Sequence, residues 1–117
     1  MIYVVDDLPE LTELYTTFLE AMDCSVKAFN DRAEALAALK AGQPKPDLLI
    51  TDYVSPSMTV DGFMSQCLAV HPTLRILMAS GFGQTDVRFS HARPDRFIQK
   101  PFTAGEFLEE VRTALAA

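Results

Sequence analysis

Cysteine, clustered positive charge and long apolar runs are all scarce in this chain. Its two cysteines, Cys24 and Cys67, fall in no CxxC or metal-ligand spacing, so no redox motif or thiolate metal site is built from them. Both read as reduced residues in or near a core. Ten Lys and Arg stand against 16 Asp and Glu, a net charge of -6. The basic residues are scattered and form no stripe. That argues against a nucleic-acid surface, since phosphate backbones are bound by clustered cations. No apolar run approaches the roughly 20 residues of a membrane span. The opening residues read as a strand and not as a signal peptide, so a cytoplasmic location is expected. No repeat, low-complexity tract or linker divides the sequence. It reads as one domain, 1–117, and its 49% hydrophobic content is enough for a core.

What is present is a regular alternation. Residues 1–5 are apolar and are closed by Asp6 and Asp7. Pro9 suits a first helical position, and Leu11, Leu14, Tyr15, Phe18, Leu19 and Met22 recur at helical spacing. Asp7 with Glu10 resembles a capping arrangement. Residues 25–29 read as a short strand. Asn30 and Asp31 cap a helix over 32–41, and Gly42 stops it. Leu48-Leu49-Ile50-Thr51-Asp52 is a continuous apolar run that ends in an acid. Such a run reads as a strand buried on both faces, and so as a central strand of a parallel sheet. A helix follows over 62–71, ended by Pro72. Residues 75–79 form a fourth strand closed by Ser80-Gly81. A weakly patterned helix is expected over 84–92. Phe97-Ile98-Gln99 is a fifth strand ending at Lys100-Pro101, and Thr103 with Glu106 forms a capping box for the last helix. The alternation predicts an α/β fold, a doubly wound five-stranded parallel sheet with helices on both faces. Right-handed crossovers and five strands fit the flavodoxin-like order 2-1-3-4-5.

In such sheets, ligands bind beyond the carboxyl ends of the strands. The order sets strand one beside strand three, so Asp6, Asp7 and Asp52 meet at one edge. Two like charges about 4 Å apart, at an effective dielectric near 20, repel by roughly 4 kcal/mol. That is a large share of the about 5–15 kcal/mol that holds a domain folded. A bound divalent cation offsets the repulsion, and an oxygen-rich site with few protein ligands suits Mg²⁺. Taken singly, Asp7 is a helix cap and Asp52 a strand end; it is their convergence that favours the metal. Ser80 and Lys100 end the strands on the other side of strand three. Singly they are a turn residue and a surface charge. At one sheet edge with Asp52 they read as ligands for anionic phosphoryl oxygens.

Tyr3-Val4-Val5-Asp6-Asp7, Leu49-Ile50-Thr51-Asp52, Met78-Ala79-Ser80-Gly81 and Phe97-Ile98-Gln99-Lys100-Pro101-Phe102 occur in that order along the chain. Together they resemble a bacterial response-regulator receiver domain from end to end. The resemblance implies phosphorelay signalling: Asp52 accepts a phosphoryl group from a partner histidine kinase or phosphotransfer protein, in a Mg²⁺-dependent conformational switch. It implies that Asp7 and Asp52 bind Mg²⁺ together with the backbone carbonyl of Val54, and that Asp6 acts through a metal-bound water. Lys100 then contacts the phosphoryl group, Ser80 is the switch hydroxyl and Phe97 the switch aromatic. The Lys100–Pro101 bond is expected cis. The domain is expected to be a switch and not a turnover enzyme, with no nucleic acid or membrane contact of its own. The 84–92 stretch, the fifth strand and the last helix offer a surface for dimerisation.

The chain departs from the family in three ways. After the acceptor, the family runs two residues, Met-Pro, one residue, then Met-Asp-Gly. Here Ser55-Pro56 and Met58 are followed by an insertion, Thr59-Val60, before Asp61-Gly62. The stretch from Ser80 to Lys100 is short. The chain also begins at the strand itself, as a domain excised from a longer protein does. The Ser-Gly-Phe ending of strand four is similar to receivers fused to hybrid histidine kinases, which makes such a parent chain an expectation. Two rivals remain. A phosphatase that forms an aspartyl phosphate carries an Asp-x-Asp nucleophile on its first strand, but this strand ends Asp6-Asp7-Leu8 and no cap segment encloses a substrate. An interaction module that keeps the fold without phosphorylation is opposed by the full residue set.

Overall fold

The apolar run at 48–52 lies at the centre of the sheet. In the computed structural model, which describes residues 1–42, 45–53, 58–83, 89 and 92–116, this run is strand β3 (Leu48–Asp52). Its neighbours are β1 (Ile2–Val5) and β4 (Arg75–Ser80), with β2 (Val26–Phe29) and β5 (Arg96–Gln99) at the edges. The order is β2-β1-β3-β4-β5 and every pairing is parallel. This is the expected topology.

Because side chains alternate across a strand, the sheet feeds two cores. Tyr3, Val5, Leu49, Ile76 and Met78 pack against α2 (Arg32–Ala41) and α3 (Val60–Val70) through Leu36, Leu39, Phe63, Met64 and Cys67. Ile2, Val4, Leu48, Ile50 and Leu77 pack on the opposite face against α1 (Pro9–Glu20) and α4 (Ala104–Ala116). There Tyr15, Phe107 and Phe102 form a ladder of rings, with centroids 5.0 Å and 5.5 Å apart. Each large apolar side chain taken from water contributes roughly 1.5–3 kcal/mol. The central strands, covered on both faces, therefore form a well-packed platform for the site. Among the described residues no helix is long and apolar enough to cross a membrane.

The helix ends follow local chemistry, with two departures from expectation. Asp31 caps α2 by accepting from Ala33 N, and Gly42 ends it at φ 73°, a conformation suited to glycine. Thr103 and Glu106 form the expected reciprocal box at the start of α4, at 2.9 Å and 3.1 Å. At α1, however, the N-cap is Leu8 with Pro9 next, and no side chain caps the helix. The Asp7–Glu10 arrangement does not form, because Pro9 opens the helix and sets the cap at Leu8, one residue past Asp7; Leu8 N donates to Asp6 Oδ1 at 3.0 Å. Helix α3 starts at Val60 and not at residue 62. The inserted pair supplies its own helix start: Thr59 Oγ1 accepts from Gly62 N at 3.1 Å, and Val60 is buried. The helix expected over 84–92 lies largely outside the described residues.

Candidate functional site

Register delivers the functional groups to one edge. Val5 pairs with Thr51, so the next residue, Asp6, comes level with Asp52. Asp52 pairs with Ala79, and Ser80 with Gln99. Lys100 N donates to Ser80 O at 2.7 Å, which ties the end of β5 to the end of β4. The Lys100–Pro101 bond is cis, as expected.

Asp6, Asp7 and Asp52 each offer a carboxylate oxygen, and these oxygens lie within 4.8 Å of one another. Asp6 is buried, Asp52 half-buried and Asp7 exposed. Burial holds the Asp6 carboxyl above the ordinary carboxylate range. The Leu8 N–H and the Lys100 ammonium pull it back, and the Asp52 charge pushes it up again. The backbone around Asp6 is braced by Asn30 Nδ2, which donates to Asp6 O at 2.9 Å and to Thr12 Oγ1 at 3.1 Å. Lys100 Nζ lies 3.2 Å from Asp6 Oδ2 and 3.5 Å from Asp52 Oδ2. The other oxygen of Asp52 accepts from Tyr53 N at 2.7 Å. The donor set is oxygen alone, compact and open to water at Asp7. Hard cations with partial hydration, Mg²⁺ above all, match that chemistry.

The remaining expected residues divide. Ser80 is fully buried, and its Oγ accepts from Phe82 N at 3.0 Å. Phe97 is half-buried against the α2–α3 side of the core, beside Tyr53, Met58 and Phe89 in the same cluster. Val54, whose carbonyl was expected to face the metal, lies outside the described residues.

Two contributors escaped the sequence reading. Arg32 is buried, and its guanidinium donates to Met58 O at 2.5 Å and to Asp52 O. Asp61 Oδ1 accepts from Ala92 N at 2.9 Å, joining the start of α3 to the segment before β5. A signal for Arg32 was present. It directly follows the N-cap Asp31, and a cation in the first turn opposes the helix dipole.

A family model for the response regulator receiver domain matches residues 2–112. The chain belongs to that family. Receiver domains are the phosphoacceptor switches of two-component signalling; they carry a phosphorylated aspartate and work with histidine kinases or phosphotransfer proteins. As a receiver domain, this chain is 33% identical to the regulatory protein VanRc of Enterococcus gallinarum, over 97% of its own length and 49% of that protein. It thus spans about half the length of that relative. It is 27% identical to the chemotaxis protein CheY of Listeria monocytogenes, over 95% of its own length and 94% of that protein. The solved receiver domain of NtrX from Brucella abortus superposes with a TM-score of 0.85 at 26% identity, covering 100% of this chain and 99% of that one.

Proposed function

We propose that Asp52 is the phosphoacceptor of this receiver domain. One observation carries the reading: the Asp52 carboxylate ends the central strand within one cluster of carboxylates and 3.5 Å from the Lys100 ammonium. The donor is a phosphohistidine on a partner histidine kinase or phosphotransfer protein. An Asp52 carboxylate oxygen attacks phosphorus in line, the N–P bond breaks as the O–P bond forms, and the imidazole leaves and regains a proton. Lys100 already bridges two carboxylates, so its ammonium is positioned to meet the phosphoryl oxygens as they arrive. Asp7 and Asp52, with the Val54 carbonyl that the family resemblance implies, would hold Mg²⁺, and Asp6 would act through a bound water. When present, the ion neutralises charge on the transferring group.

The product is a state and not a released compound, so the domain acts as a switch and not a turnover enzyme. Ser80 donates its hydroxyl proton to the added phosphoryl group. Phe97 then fills the space that Ser80 leaves. The domain works in the cytoplasm, within a longer parent of the hybrid histidine kinase kind. The face formed by residues 84–92, β5 and α4 serves for dimerisation.

The test is phosphorylation by acetyl phosphate with Mg²⁺, read by intact-mass spectrometry. One added phosphoryl group is expected on the wild type and none on Asp52→Asn. An Asp52→Asn chain modified at the wild-type rate overturns the assignment.

A further inference from the structure

A cation at the start of a helix is poorly placed beside the positive end of the helix dipole. Arg32, the first residue of α2, nevertheless stands there, and its side chain turns inward until only 2% of the residue is exposed. One arm of the guanidinium donates to Met58 O at 2.5 Å and the other to Asp52 O. Its plane lies over the Phe63 ring, 5.9 Å from the centroid. Among the described residues no carboxylate forms an ion pair with it. The charge is instead balanced at longer range by Asp52, Asp7 and Asp6. Burying a guanidinium is costly unless its donors are satisfied, and here two of them are spent on backbone carbonyls rather than on acids.

Those two carbonyls belong to the proposed acceptor residue, at the end of β3, and to Met58, just before α3. A planar fork that holds both carbonyls fixes residue 52 relative to residue 58 and the direction in which the Asp52 backbone leaves the strand. The clamp falls just before Thr59 and Val60. The extra length of this chain therefore enters α3 as a cap and a buried residue, and is kept out of the site.

We infer that Arg32 is a positioning residue that clamps residues 52 and 58 and so presets the Asp52 backbone for Mg²⁺ binding at the carboxylate cluster. The inference rests on the proposed acceptor site. The charge of Arg32 works in the opposite direction, since a cation near a cation site repels Mg²⁺. Geometry and field thus predict opposite signs. A lysine keeps the charge but has a single point donor in place of the fork. Loss of an outer residue that orients metal ligands typically weakens metal affinity by about ten- to a hundredfold.

The experiment compares wild type, Arg32→Lys and Arg32→Met by Mg²⁺ titration followed by NMR without a phosphodonor, and by amide hydrogen exchange over residues 53–59. Both variants should bind Mg²⁺ at least about tenfold more weakly, with faster exchange over those residues. Unchanged or tighter Mg²⁺ binding in either folded variant overturns the clamp. Should neither variant fold, the wild-type Arg32 side chain decides. Separate, slowly exchanging Nη–H signals that shift on Mg²⁺ addition support the clamp, and averaged signals that ignore Mg²⁺ overturn it. Wild type treated with acetyl phosphate is the control. Failure to modify Asp52 there overturns the acceptor reading, whereas a modified wild type with Mg²⁺ binding unchanged in Arg32→Lys overturns only the clamp.

Discussion

Lys100 is one ammonium shared by Asp6 and Asp52, with Asp7 left exposed beside them. The metal-free domain therefore carries more negative charge at this edge than Lys100 and the more distant Arg32 together offset. Removing one acid should relieve repulsion and remove a ligand at the same time. Asp7→Asn is expected to raise the metal-free melting temperature by a few degrees and to abolish most of the rise that Mg²⁺ produces in wild type. Differential scanning calorimetry with and without Mg²⁺ checks both halves. A lower metal-free Tm with an intact Mg²⁺ response is the contrary result. A second residue-scale prediction concerns Cys67, whose thiol is pushed by burial from 9.0 up to about 12. The folded chain keeps that proton to higher pH than the unfolded chain does. Its contribution is therefore present in full below pH 9 and is lost as pH rises from about 9 towards 12. In the native state, thiol labelling at pH 8 should modify half-exposed Cys24 first and leave Cys67 protected until unfolding. Equal labelling rates for the two would contradict the buried placement.

At the scale of elements, the instructive case is the start of α3. Thr59 caps it, and a Cβ on Gly62 would meet Thr59 Oγ1 at 3.0 Å. Glycine is thus favoured by its neighbour and not by its own backbone angles. Thr59→Ala should cost about 1 kcal/mol through loss of the cap. Gly62→Ala alone should be neutral or destabilising, because the small gain of alanine in a helix is spent on the contact. In a Thr59→Ala background the same change should stabilise, by roughly 0.5–1 kcal/mol. Urea unfolding of the four chains measures this. Strict additivity across the double-mutant cycle would show that the contact is unimportant.

At the scale of the whole molecule, β4 and the start of α3 are joined to the segments around β5 by a few identifiable bonds. Lys100 N reaches Ser80 O, and Asp61 holds Ala92 N. Asp95 exchanges two hydrogen bonds with Ile76, one through its backbone and one through its side chain. A charge added at Asp52 that draws Ser80 inward acts first on the Lys100 N–Ser80 O bond, whereas Asp95 meets β4 at its other end. Beryllofluoride with Mg²⁺, which mimics the phosphoryl group, should alter amide exchange over residues 81–100 more than in α2. Ser80→Ala should remove that difference while leaving Mg²⁺ binding intact. A response confined to residues 53–61, or one unaffected by Ser80→Ala, means that the two halves are not coupled through Ser80.

The alternation of strands and helices, the sheet order and the acids at the ends of β1 and β3 were all legible in the chain, because each rests on local pattern or on the few topologies that right-handed crossovers permit. Asp6 and Lys100 are 94 residues apart, yet their meeting was foreseeable, since both simply end strands whose order was foreseeable. Helix starts were less legible. Asp7 and Glu10 have cap spacing, but Pro9 opens the helix one residue too late for Asp7 to cap it, and an insertion reads as a longer loop until Val60 finds a core to enter. Arg32 shows the limit most plainly. Its position after a cap marked it as misplaced, but nothing local says where a long side chain will go. Only the packing of α2 against α3 decided that its two arms reach the backbone of residues 52 and 58, because the carbonyls they bond come together in space and nowhere in sequence.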